Sequence, residues 1–149
     1  MKTPLKLLLV VLLPLALGAC DALQVDDRKF DDDPKIEFQP LTQSADEGDG
    51  TLTTTVQLIG PQRDSDLQVS FTVADSSTAE SGTHYSLGST TATIQANSSE
   101  AEVDIQVLDN SLDDGGEVVQ LFLNLQDSQG VEAAENLDAY TLVIEGADE

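Results

Sequence analysis

Four stretches of this chain place an apolar residue at every second position: Val69, Phe71 and Val73; Val103, Ile105 and Val107; Leu121, Leu123 and Leu125; Tyr140, Leu142 and Ile144. Successive side chains of an extended strand point to opposite faces, so each set can line one buried face, and a helix would scatter it. No window carries a helical period, and the alternating segments are short. Seven of them stand out: Ile36 to Leu41, Leu52 to Ile59, Leu67 to Val73, Thr90 to Gln95, Ala101 to Leu108, Val118 to Leu125 and Ala139 to Glu145. Between them lie turn-forming residues: Glu47-Gly48-Asp49-Gly50, Gly60-Pro61, Asp75-Ser76-Ser77, Asn97-Ser98-Ser99 and Asp113-Asp114-Gly115-Gly116. Thr53-Thr54-Thr55 and Thr90-Thr91 are β-branched and suit a half-exposed sheet face. The pattern predicts an all-β, seven-stranded antiparallel β-sandwich.

The start of the chain is of another kind. Lys2 and Lys6 precede an apolar run from Leu7 to Leu17, which ends in Leu17-Gly18-Ala19-Cys20. This is the form of a bacterial lipoprotein signal peptide, residues 1–19. The small Gly18-Ala19 pair lets a peptidase close on the backbone, and the Cys20 thiol takes the lipid. A transmembrane reading of the run meets two obstacles: it falls short of the roughly 20 residues that a bilayer core needs, and Pro14 interrupts it. Cys20 is the one cysteine of the chain, which excludes an intrachain disulfide, a cysteine metal cluster and, once acylated, a thiol nucleophile. Two or three acyl chains at about 0.8 kcal/mol per methylene hold a protein at a membrane durably. The expected location is therefore the bacterial cell envelope, with Cys20 as the membrane attachment. Asp21 resembles a signal for inner-membrane retention in some Gram-negative lineages, and the choice between inner and outer membrane stays open.

Charge narrows the partners. The chain has 28 acidic residues against 6 Lys and Arg, a formal net charge of −22. Removal of Lys2 and Lys6 with the signal peptide leaves Arg28, Lys29, Lys35 and Arg63 as the basic residues. Such a field repels nucleic acid and anionic headgroups and favours cations. A halophilic source is one explanation of the acidity, because strong salt screens self-repulsion within about 3 Å at 1 M. Residues 20–34, from the lipidated Cys20 through Asp31-Asp32-Asp33-Pro34, are rich in aspartate and poor in apolar groups, which predicts a disordered acidic tether. A flexible coil of that length spans about 20 Å. The folded domain is expected over residues 35–149, a length that buries a core without crosslinks.

Four stretches of that domain resemble the Calx-beta domain family: Ser44-Ala45-Asp46-Glu47-Gly48-Asp49-Gly50, Thr78-Ala79-Glu80-Ser81-Gly82-Thr83-His84-Tyr85, Ile94-Gln95-Ala96-Asn97-Ser98-Ser99-Glu100, and Val107 to Glu117 with its Asp109-Asn110-Ser111-Leu112-Asp113-Asp114 core. They occur in the family's order and span nearly the whole of residues 36–145. The resemblance implies an immunoglobulin-like sandwich with Ca²⁺ held by loops at one end. It also implies the ligands: Glu47, Asp109, Asp114, Glu117 and Glu145. Calcium takes six to eight oxygens at about 2.3–2.6 Å, and carboxylates on converging loops supply them. The chain departs from the family pattern in three places. His84 stands where the family has an aspartate, and imidazole suits a hard cation poorly. Asn110 replaces the second acid of a pair, and Glu145-Gly146-Ala147 replaces a terminal acidic triplet. These departures imply weak Ca²⁺ binding, on the order of 0.1–1 mM.

Catalysis finds little support. His84 is the one histidine, no Gly-x-Ser-x-Gly elbow is present, and the chain has no Trp and few aromatics to platform a sugar. The expected function is a non-catalytic structural or protein-interaction module of the cell envelope, with weak Ca²⁺ binding. Its partner is not identified by any residue. The alternatives are a calcium-dependent binding or adhesion module and, remotely, a hydrolase using His84.

Overall fold

In a computed structural model the described residues are 32–109, 112 and 116–146. The signal peptide at 1–19, Cys20 and most of the tether at 20–34 lie outside them. The chain divides into two units, Met1–Phe30 and Asp31–Glu149. Within the second, the described residues form ten strands: β1 (Lys35–Gln39), β2 (Thr42–Asp46), β3 (Gly50–Ile59), β4 (Leu67–Val73), β5 (Tyr85–Leu87), β6 (Thr91–Ile94), β7 (Glu100–Val107), β8 (Val118–Gln126), β9 (Glu132–Ala133) and β10 (Ala139–Glu145). They make two five-stranded sheets, ordered β5-β7-β3-β1-β9 and β2-β10-β8-β4-β6.

The strand pattern expected from the alternation is all present, with three differences. The strand expected from Ile36 to Leu41 is β1 of the first sheet and stops at Gln39, and β2, which lies beyond that segment in the second sheet, is an addition. The break falls at Pro40, which has no N–H to give a ladder, and the Gln39–Pro40 peptide is cis. The short strands β5 and β9 are additions, since two or three residues carry too little alternation to be read locally. The sandwich is also not purely antiparallel. β2 pairs in parallel with β10, and β1 in parallel with β9.

The core lies between the sheets. Val69, Phe71, Val103, Ile105, Val107, Leu121, Leu123, Leu125, Tyr140, Leu142 and Ile144 are all buried, while Val73 is half-buried at its strand end. Phe38 of the first sheet reaches two aromatic rings of the second. Its centroid lies 6.2 Å from that of Phe71, edge to face at 69°, and 5.6 Å from that of Tyr140. Such pairs add about 0.5–1.5 kcal/mol beyond burial of area. The Tyr140 hydroxyl donates to the Gln43 side-chain oxygen at 2.9 Å, so the buried phenol keeps a partner and ties β10 to its edge neighbour β2.

Candidate metal site at the loop end of the sandwich

The parallel pairing of β2 with β10 runs from Thr42–Thr141 to Asp46–Glu145, so both strands finish at the same end of the sandwich. There the chain makes a tight turn. The Asp49 amide donates to the Asp46 carbonyl at 3.1 Å, and the Asp49 carboxylate accepts the Asp46 amide hydrogen at 2.9 Å. Gly48 sits in this turn with φ +79°, a left-handed conformation open to glycine. A Cβ at this position would lie 3.2 Å from the Asp109 Cβ, a close approach that Asp109 would have to yield to by a few tenths of an ångström, so φ favours glycine first and contact second.

Main-chain hydrogen bonds then join this turn to the other loops. The Glu47 amide donates to the Glu145 carbonyl at 2.8 Å, and the Gly48 amide to the Leu108 carbonyl at 3.3 Å. The Gly146 amide donates to the Glu117 carbonyl at 3.3 Å, and the Leu108 amide to the His84 carbonyl at 2.9 Å. Five segments of chain thus meet at one end. Of the residues that the resemblance implies as ligands, Glu47, Asp109, Glu117 and Glu145 all belong to it; Asp114 lies outside the described residues.

The side chains divide into two groups. Asp109, Glu117 and Glu145 are exposed at the rim, whereas Glu47 is half-buried. One Glu47 carboxylate oxygen accepts the Leu112 amide hydrogen at 3.0 Å. Leu112 itself is buried in the core, 4% exposed. The acid next to the core therefore holds the Leu112 amide in place. Sequence reasoning singled out Glu47 but not this partner. The available signal is that Leu112 is the one apolar residue within Asp109 to Glu117.

His84 has a comparable structural part. The Glu80 amide donates to its Nδ1 at 2.9 Å, and the His84 amide donates back to the Glu80 carbonyl at 2.9 Å. The imidazole is held as the tautomer with a bare Nδ1 and closes the turn ahead of β5.

Whether this end fits calcium depends on how its donors are gathered. The rim carboxylates are hard oxygen donors of the right class. Among the described residues, however, no three of the His, Cys, Asp and Glu side chains form a group able to hold a metal ion. The described residues do not fit a closed calcium cage.

Comparison with known proteins agrees with the architecture. A family model described as the Calx-beta domain matches residues 29–146. Among solved structures, the apo-form Calx CBD1 domain superposes with a TM-score of 0.66 at 20% identity, covering 78% of this chain and 100% of that one. The calcium binding domain CBD12 of CALX1.1 gives 0.63 at 22%, covering 76% of this chain and 45% of that one. A two-domain protein of unknown function from Bacteroides fragilis gives 0.57 at 11%, covering 77% and 46%. At these identities the likeness concerns the fold. A comparison with curated proteins returned no match.

Proposed function

The chain belongs to the Calx-beta domain family, and from that premise we propose that it is a non-catalytic interaction module of the bacterial cell envelope, lipid-anchored through Cys20, whose fold stands without calcium. The observation that carries this reading is the way its loop end is closed. Peptide-to-peptide bonds join Glu47 to Glu145, Gly48 to Leu108 and Gly146 to Glu117, and the Glu47 carboxylate is engaged with the Leu112 amide. Each bond is worth about 0.5–1.5 kcal/mol net, and together they supply the fixation that a bridging cation would otherwise give. Calcium enters this reading as a weak ligand of the exposed rim, on the order of 0.1–1 mM.

The anchor rests on the sequence Leu17-Gly18-Ala19-Cys20 and has its own test. Mass spectrometry of the protein purified from membranes should find an amino terminus at Cys20 carrying diacylglyceryl and acyl groups. Cys20→Ser should move the protein to the soluble fraction. An unmodified chain beginning at Met1 would remove the anchor from the account.

A second reading, calcium-dependent binding or adhesion, is favoured by the convergence of Glu47, Asp109, Glu117 and Glu145 on one end. The two readings differ in whether partner binding survives a chelator. The first expects that it does, the second that it is abolished.

A further inference from the structure

The outer faces of the two sheets differ in charge. On the first sheet the outward positions include Lys35, Glu37, Glu100, Glu102, Asp104 and Glu132, spread over three of its five strands. On the second sheet the outward positions, at alternate residues from 42 to 44, 68 to 72, 91 to 93, 118 to 126 and 139 to 143, carry no charged side chain. Acids stop at the two ends of this face: Asp46 and Glu145 at the loop end, and Asp66, Asp127 and Asp138 at the other.

Solubility does not account for the difference. A chain of net charge −22 that carries acids for solvation alone gains by placing them on every outward face. The bare face instead has the make-up of a contact surface, depleted of charge at its centre and polar at its border. Phe122 and Val143 are half-buried at that centre, and Thr141 lies directly across from Phe122. Val118, at 47% the most exposed large apolar side chain among the described residues, is on the same face. Among the described residues the side chains of Gln120, Asn124 and Thr141 have no hydrogen-bond partner. Amides and hydroxyls both donate and accept, so such a face is able to bond a copy of itself.

Charge selects the occupant. A partner drawn in by its basic residues settles on the acidic first sheet. A second copy meets the opposite condition: through an acidic surface it brings carboxylate against carboxylate, and through the bare face it does not. Packed sheets lie about 10 Å apart, so in a face-to-face pair the two acidic outer faces are about 30 Å from each other. The Debye length at physiological salt is about 8 Å, which screens them. Five strands about 4.8 Å apart and about 20 Å long make a face of about 500 Å². Two such faces bury about 1,000 Å², the lower limit of a specific interface.

We infer that two copies of this chain pair through the outer face of the second sheet, sheet against sheet about a two-fold axis, with Phe122 and Val143 at the centre of the contact. The pair is weak, and it tightens as salt rises because the bordering acids are screened. The inference rests on the reading of the chain as an interaction module and names its partner as a second copy.

The test is sedimentation equilibrium of the full chain in a density-matched detergent, over a range of protein concentration, in 0.05 and 1 M NaCl. Three variants accompany the parent. Thr141→Glu and Thr72→Glu each put an unpaired carboxylate into the contact, and Thr72 is exposed, so at least one of the two keeps its fold. Gln39→Glu adds the same charge on the outer face of the first sheet. Melting transitions check that each variant folds. The expected result is a reversible monomer–dimer equilibrium that is at least tenfold tighter in 1 M NaCl, at least tenfold weaker in Thr141→Glu and Thr72→Glu, and within twofold of the parent in Gln39→Glu. Sharing of micelles by chance is the same for all four proteins and gives no such difference. A monomer at every concentration would overturn the inference, as would equal weakening by all three variants or none by the two on the second sheet. Binding of a monomeric parent to phosphatidylcholine vesicles, lost in Thr141→Glu, would overturn it too and assign the face to the lipid surface. A chain without lipid at Cys20 gives the same equilibrium in plain buffer, so failure of the anchor and failure of the pairing are told apart.

Discussion

The Glu47 carboxylate accepts the Leu112 amide hydrogen at 3.0 Å although 65 residues separate them. The acid that family resemblance marks as a metal ligand thus also accepts from the backbone of Leu112, whose side chain is inside the core. Glu47→Ala removes the acceptor and should lower stability by about 1–2 kcal/mol with a chelator present, because a part-buried donor loses a charged partner. Glu47→Gln keeps a carbonyl oxygen for the same bond and should recover most of that loss. Urea unfolding in EDTA measures both. Equal stability of the Ala variant and the parent would show that the bond does not matter.

Tyr140 makes the fold sensitive to alkali. Burial raises its phenol pKa above the ordinary 10.0, and burial also raises that of Tyr85, against an opposing hydrogen bond from Ser81. Below pH 10 the phenol is neutral in both folded and unfolded chains, so its stability contribution is fully present. Above pH 10 the unfolded chain ionises first, and stability should fall by up to about 1.4 kcal/mol per pH unit for this group. Tyr140→Phe should remove that part of the alkaline slope while losing the bond to Gln43, at a cost of about 1 kcal/mol near neutrality. Urea midpoints between pH 8 and 11, read with phenolate absorbance, test the sign. An unchanged slope in the Phe variant would contradict it.

His84 closes the turn before β5 through its Nδ1 and the Glu80 amide. His84→Ala should leave that amide open and speed its hydrogen exchange about tenfold, with a stability loss of about 0.5–1.5 kcal/mol. His84→Asp supplies a carboxylate acceptor in its place and should restore the protection. Exchange rates at Glu80 unaffected by either change would remove His84 from this role.

The long strands were legible because their apolar residues alternate without interruption: Val103, Ile105 and Val107 face the core as their spacing requires, and β10 runs from Ala139 to Glu145 as read. What escaped local reading depends on distant chain. β9 consists of Glu132 and Ala133 and is a strand through its pairing with Lys35 and Ile36. β2 is likewise a strand through its pairing with β10, and its sequence Thr42-Gln43-Ser44-Ala45-Asp46 carries no apolar alternation. The loop-end residues were legible as residues but not as contacts. Glu47 and Asp109 stand on turns whose composition marks them, yet the close approach of Gly48 to Asp109 and the bond from Leu112 are products of tertiary packing. Asp114 and the stretch from Asp21 to Asp31 lie outside the described residues.

The claim on which the account most depends is that this domain is held together at its loop end by its own peptide groups. Unfolding of the full chain in EDTA, in 1 mM Ca²⁺ and in Mg²⁺ at matched ionic strength addresses it directly. The account predicts a cooperative transition in EDTA and a Ca²⁺-specific gain over Mg²⁺ of about 0.4–1.4 kcal/mol, the range that an affinity on the order of 0.1–1 mM gives at that concentration. Loss of the cooperative transition in EDTA, or a Ca²⁺-specific gain of about 4 kcal/mol, would contradict it.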